Sequence, residues 1–206
     1  MIDRVEFDTI YHEHLSYFSL TALDRLMRGH GLMIQDVERL SIHGGSLRVF
    51  AGHQAAGLAP SGAVRRLLVE EKNWGVGRLS FYQGFAANVE RLKMSLLDLL
   101  HGLKREGRRI AAYGASAKGA TLLNYFGIKR QTLEFVVDRS TAKQGLYTPG
   151  THLPIYSTEK LLEAMPDYTL LLTWNFAGEI LEQQSEYRRR GGRFIVPIPA
   201  PQVVGA

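Results

Sequence analysis

The spacing of apolar side chains changes character three times along the chain. Leu20, Leu23, Leu26 and Met27 fall on one helical face, with Ser19 or Thr21 available as the cap and Gly29 and Gly31 as the stop. Residues 32–42 and 46–51 then read as two strands joined across His43, Gly44 and Gly45, an antiparallel hairpin. Residues 52–62 are rich in Ala, Gly and Pro and form a connector. Helical composition returns at 63–73 and at 79–106, the second stretch carrying Phe85, Val89, Leu92, Leu96, Leu99, Leu100 and Leu103 on a common stripe. At 1.5 Å per residue that helix is about 40 Å long, a reach that can brace two domains.

From residue 110 onward strand and helix patterns alternate. Strands are expected at 110–114, 133–138, 168–173 and 193–196, and helices at 118–126, 158–164 and 177–190, with Pro197, Pro199 and Pro201 stopping the last strand. This alternation predicts an α/β fold: a Rossmann-like doubly wound parallel sheet, preceded by a helix, a hairpin and a long bracing helix. The expected division is residues 1–62, with the closing helix and hairpin, and residues 63–206, the sheet domain with its long N-terminal helix. Ligands of such sheets sit at the carboxyl ends of the strands, so the loops after each strand are the place to look for chemistry.

Bulk composition narrows the classes. With 206 residues and 45% hydrophobic composition the chain can bury a real core. No apolar run is long enough to span a membrane, and the first twenty residues carry no signal-peptide pattern, so neither a membrane nor a secretory route is expected. Zero cysteines exclude disulfides and thiolate metal sites, in keeping with a cytoplasmic protein. The net charge of +5 comes from scattered basic residues, apart from Arg188, Arg189 and Arg190, which suit a solvated helix end. No nucleic-acid-binding motif accompanies the charge, and a small polyanion suits a mildly basic cleft equally well.

After the first expected strand of the sheet comes the turn Gly114-Ala115-Ser116-Ala117-Lys118-Gly119, directly ahead of a helix. Amide groups at a helix N-terminus make an anion site, and Lys118 adds a point charge. Against the dinucleotide pattern G-x-G-x-x-G, Gly114 and Gly119 match but Ser116 takes the second glycine place. Against the P-loop pattern, Ala120 stands where lysine belongs. What fits is a phosphate turn in which Ser116 and Lys118 donate to a nucleoside diphosphate, with Asp138 as an acceptor for a ribose hydroxyl. The plainer alternative is that the two glycines only let helix and strand pack closely.

Near the start stands Tyr11-His12-Glu13-His14, dense in groups that exchange protons. A zinc site lacks supporting spacing, because H-E-x-x-H is absent and a third ligand would have to come from His30, His43 or His53. Each residue alone reads equally well as a hydrogen-bonded structural side chain; their clustering favours function.

With its surroundings this segment resembles a known family. The stretch Phe7-Asp8-Thr9-Ile10-Tyr11-His12-Glu13-His14-Leu15-Ser16-Tyr17-Phe18-Ser19-Leu20, then Gly29-His30-Gly31-Leu32, His43-Gly44-Gly45-Ser46-Leu47-Arg48 and Gly114-Ala115-Ser116-Ala117-Lys118-Gly119, is similar to the sugar C-methyltransferases that act on nucleotide-linked ketosugars in deoxysugar biosynthesis. The resemblance implies the C-terminal domain of an S-adenosylmethionine-dependent enzyme whose N-terminal zinc and donor-binding domains are missing from this chain. The donor is then not expected to bind tightly to this chain alone. It also implies His14 as the base that removes an α-proton, with Tyr11 and Glu13 placing the sugar or stabilising the enolate. By the same resemblance His12, His43, Ser46 and Arg48 line the substrate cleft, although a turn and strand role accounts for the last three as well. Two rival classes remain: an NAD(P)-linked oxidoreductase, which Ser116 argues against, and a non-catalytic sugar-nucleotide-binding module, which needs no His14. The open hairpin edge further suggests self-association as a homo-oligomer.

Overall fold

The computed structural model describes residues 1–42 and 45–205 of the chain; His43 and Gly44, on which the hairpin reversal is expected, lie outside the described residues. The chain forms two compact units, one of His14–Ala87 with Met1 and the other of Ile2–Glu13 with Asn88–Ala206. They part at Ala87/Asn88, inside the long helix.

In the first unit α1 (Leu20–Gly29) is capped by Ser19, whose Oγ accepts from the Ala22 N–H at 3.1 Å. It gives way to β1 (Leu32–Leu40) through Gly31 at φ +72°. β1 pairs antiparallel with β2 (Ser46–His53), from Leu32 opposite His53 to Leu40 opposite Ser46, with a bulge between Ile34 and Asp36. After the connector α2 (Gly62–Trp74) begins on Ser61, whose Oγ accepts from the Val64 N–H. Leu20, Ile34, Val37, Val64 and Leu67 form the core between helices and hairpin. Burial of five such side chains stabilises this small unit by roughly 1.5–3 kcal/mol each, before the cost of ordering the chain. Glu71, near the end of α2, reaches back to the start of α1. Its carboxylate accepts from the Leu20 N–H, the Thr21 N–H and the Thr21 hydroxyl at 2.7, 2.7 and 2.6 Å. One buried anion thereby satisfies amides that a helix start leaves without partners.

α3 (Leu79–Arg105) carries the long stripe, and Val89, Leu92, Leu96, Leu100 and Leu103 are its buried positions. The second unit then winds through β3 (Ile110–Tyr113), α4 (Ala117–Phe126), β4 (Val136–Val137), β5 (Ile155–Tyr156) and α5 (Lys160–Ala164). It continues through β6 (Tyr168–Leu171), α6 (Ala177–Gln183), α7 (Ser185–Arg189), β7 (Arg193–Val196) and β8 (Gln202–Gly205). The sheet order is β5-β4-β3-β6-β7-β8, parallel except for β8, which runs antiparallel to β7. Every residue of β3 and β6 is buried, as expected for parallel strands covered on both faces. The fold is therefore α/β, with a mostly parallel sheet, an antiparallel hairpin and a long helix.

Three details depart from the sequence pattern. The strand expected over 133–138 is hydrogen-bonded as a strand only at Val136–Val137, and β5, two residues long, is too short for any periodicity to announce. The helix expected over 177–190 breaks at Gln184 into α6 and α7. Pro197, Pro199 and Pro201 stop β7 but lie in a turn, after which Gln202–Gly205 returns as an edge strand. Among the described residues no helix is long and apolar enough to cross a membrane.

Candidate functional site

The winding of the sheet fixes where a ligand belongs. From β3 the chain crosses to β4 and β5 on one side, then to β6 and β7 on the other, so β3 and β6 flank the point where strand order reverses. Crevices outside the carboxyl ends of such strands are the usual ligand sites of this architecture. A cleft of about 260 Å³ lies there. Its walls are Tyr113 at the end of β3 and Gly114 just beyond it, Asp138 and Arg139 after β4, Thr173 and Phe176 after β6, and Glu179, Ile180 and Gln183 of α6.

The turn that follows β3 is built by packing. Gly114 has φ +97°, and a Cβ there would come within 2.6 Å of the Thr173 side chain. A Cβ on Gly119 would meet Leu172 at 2.8 Å and the Gly114 carbonyl oxygen at 3.2 Å. Both glycines are thus required by close approach, and Gly114 also lines the cleft. Ser116 caps α4, its Oγ accepting from the Gly119 N–H at 3.0 Å. Asp138 braces the turn: Oδ2 accepts from the Ala115 N–H at 2.7 Å and Oδ1 from the Ser140 N–H at 2.8 Å, with Lys143 Nζ at 3.5 Å. Its first duty is structural, though it also lines the cleft.

Lys118 is the unusual member. Its Nζ is buried, has no hydrogen-bond partner among the described residues and stands 4.8 Å from the centroid of the Trp174 ring. An ammonium without acceptors is costly away from water, and a cation over an indole face recovers only part of that cost. Beneath it lies a contact no local pattern foretells: the Trp174 indole Nε1–H donates to Asp8 Oδ2 at 2.6 Å. Asp8 is fully buried, and burial pushes its carboxyl up to about 6, against the lowering effects of the Trp174 hydrogen bond and the Lys118 charge, while Glu6 adds to the rise. Phe7 anchors this part of the chain by stacking on Phe126 of α4, ring centroids 4.8 Å apart.

The Tyr-His-Glu-His cluster is divided between the units. Tyr11, His12 and Glu13 belong with the sheet unit and His14 with the hairpin unit. His12 and Glu13 are exposed, with His12 Nε2 3.9 Å from Glu13 Oε1, and the Tyr11 and His12 rings are 6.4 Å apart. His14 is exposed and meets the Tyr17 ring edge-on at 6.2 Å. In the hairpin, Ser46 Oγ donates to the Ile42 carbonyl and Arg48 pairs with Glu38 at 3.1 Å, both in solvent; His43 lies outside the described residues. Among the described residues no three of His, Asp and Glu are placed as metal ligands. Sequence reading missed Asp8, Trp174, Arg139 and Phe176. Inspecting every residue after a strand would have raised Trp174 and Arg139, whereas nothing near Asp8 announces its partner.

The sheet, the crevice and the turn define a Rossmann-type domain, and comparison supplies the family. Residues 41–199 match the model of the C-methyltransferase C-terminal domain, and the chain belongs to that family. C-methyltransferase NovU from Streptomyces niveus is 43% identical over 206 residues, covering 100% of this chain and 49% of that protein. The chain thus spans about half the length of the curated relative it matches.

Proposed function

We propose that this chain holds a nucleoside-diphosphate-linked ketosugar and takes the proton from the carbon beside its ketone, as the substrate-holding part of an S-adenosylmethionine-dependent C-methyltransferase. One observation carries the reading: the cleft at the switch point of the sheet, outside the carboxyl ends of β3, β4 and β6, is walled in part by Gly114 of the glycine turn. The first-turn amides of α4, which follows that turn, attract a diphosphate. The adjoining cleft of about 260 Å³ suits the nucleoside, with Phe176 exposed for stacking and Arg139 and Glu179 offering polar contacts.

The chain's own chemistry is proton removal. The His14 imidazole takes the α-proton, the C–H electron pair moves into the adjacent carbonyl, and the resulting enolate oxygen is stabilised by Tyr11, with Glu13 orienting the sugar. S-adenosylmethionine supplies an electrophilic methyl group and carries a sulfonium cation. Its site is assigned to the part of the complete protein that this chain does not include, with a zinc module as a further partner; the matched relative is about twice as long.

A thermal-shift screen of the chain against nucleoside diphosphates and their sugars tests the first half of the reading. Selective stabilisation by one base is expected, reduced in Lys118→Ala and Ser116→Ala. In the complete enzyme, His14→Gln should stop exchange of the substrate α-hydrogen with solvent deuterium. Exchange at the wild-type rate would remove His14 from the role of base.

A further inference from the structure

The turn after β6 faces two ways. Thr173 and Phe176 wall the cleft, whereas Trp174 between them donates its Nε1–H to the buried Asp8 at 2.6 Å. The turn is stiff: the Phe176 N–H donates to the Thr173 carbonyl at 2.9 Å, and Thr173 packs so closely on Gly114 that a Cβ there would come within 2.6 Å of it. Asp8 belongs to a strap, residues 2–13, that joins the sheet unit from the opposite end of the sequence. Glu6, Phe7 and Asp8 are its buried part, Tyr11 is half-buried, and His12 and Glu13 are exposed. Phe7 stacks on Phe126 of α4, and two flat rings in contact can slide. A hydrogen bond weakens steeply off line, so Asp8 fixes the direction in which the strap runs. A buried carboxylate is a costly anchor where one more apolar side chain would serve stability alone, and its use here points to placement. Three residues of chain reach at most about 11 Å and five about 18 Å, so Tyr11 and Glu13 can stray no further than that from Asp8.

We propose that Asp8 is a positioning residue: through Trp174 it ties the strap that bears Tyr11 and Glu13 to the turn that walls the cleft, so that filling the cleft steadies those two groups. The assignment rests on the reading of the cleft as a nucleoside diphosphate site given above. Asp8 and Trp174 touch no ligand; they act through the turn, whose other side chains, Thr173 and Phe176, face the cleft.

The test is hydrogen–deuterium exchange of the 206-residue chain, read over residues 7–13, alone and with ADP, GDP, UDP or thymidine diphosphate, binding being followed by calorimetry. Without ligand, Asp8→Ala should speed exchange in the strap about tenfold and leave β3 and β6 unchanged, while Asp8→Asn, which keeps an acceptor for the indole, should stay within about threefold of wild type. Trp174→Phe, which keeps a ring but lacks the N–H, should match Asp8→Ala, and the double variant should be no faster than either. An unmoved strap, or equal acceleration of the sheet strands, overturns the proposal.

A merely structural anchor would not respond to the cleft, and the arms with ligand read that difference. In the wild type, the tightest of the four diphosphates should slow exchange in the strap at least about threefold, and this protection should vanish in Trp174→Phe although affinity stays within about twofold. The wild-type arm needs no variant to fold: a filled cleft with an unprotected strap overturns the proposal, as does equal protection in Trp174→Phe. Absence of binding by the wild type to all four diphosphates overturns the reading of the cleft and the coupling with it. The seat of the strap is then judged by exchange without ligand, where an unmoved strap in Asp8→Ala dismisses it as well.

Discussion

Two buried carboxylates, one in each unit, are handled in opposite ways. Glu71, 5% exposed, accepts three hydrogen bonds from the start of α1. Asp8, 0% exposed, accepts one from Trp174, while its Oδ1 has no partner among the described residues. Full satisfaction makes Glu71 a structural clamp. Partial satisfaction leaves Asp8 with a carboxyl raised to about 6, beside a cation that also lacks acceptors. Scaffolds spend their polar groups on themselves; sites hold some in reserve.

The contrast yields four expectations, ordered by size. Glu71→Ala strands the amides of Leu20 and Thr21 and should destabilise the first unit by about 3 kcal/mol, read by urea unfolding followed through Trp74 fluorescence. Asp8→Asn should act in the other direction. Because the folded carboxyl titrates at about 6 and an unfolded one near its ordinary 3.8, the folded state holds the proton more tightly. Stability is then greatest below pH 4, declines as pH rises towards about 6, and levels off above. Asparagine keeps an acceptor for Trp174 without the charge, so the variant should lose this decline and exceed wild type at pH 7 by on the order of 2 kcal/mol. If both variants destabilise at pH 7, the contrast between the two carboxylates collapses.

The smaller effects sharpen it. Ser116→Ala removes the cap of α4 and should cost about 1 kcal/mol in thermal or chemical unfolding, apart from any change in ligand affinity. Arg48→Gln breaks an exposed pair with Glu38 and should change stability by less than about 0.5 kcal/mol. A larger loss would mean that Arg48 bears on more than Glu38.

Much of the scaffold was legible because its signals are local. The stripe of α3, the Ser19 cap of α1 and the runs of β3, β6 and β7 each depend on neighbours within a few positions. β5 and β8 were not legible: the first is two residues long, and the second follows prolines that read as an end. In the site, the turn and its lysine could be picked out by spacing, but their partners could not. Asp138 accepts from Ala115, 23 positions away, and Ser116 caps α4, contacts that spacing alone did not announce.

By itself the sequence determined the α/β alternation, the hairpin, the long helix and the glycine turn ahead of α4, because hydrophobic period, capping and glycine spacing act over one or two turns of chain. Tertiary structure alone decided that Asp8 meets Trp174 and that Lys118 stands over the ring without an acceptor among the described residues. The first of those contacts joins residues 166 positions apart, and the energy of both comes from a burial that no stretch of chain carries until the sheet has closed around it.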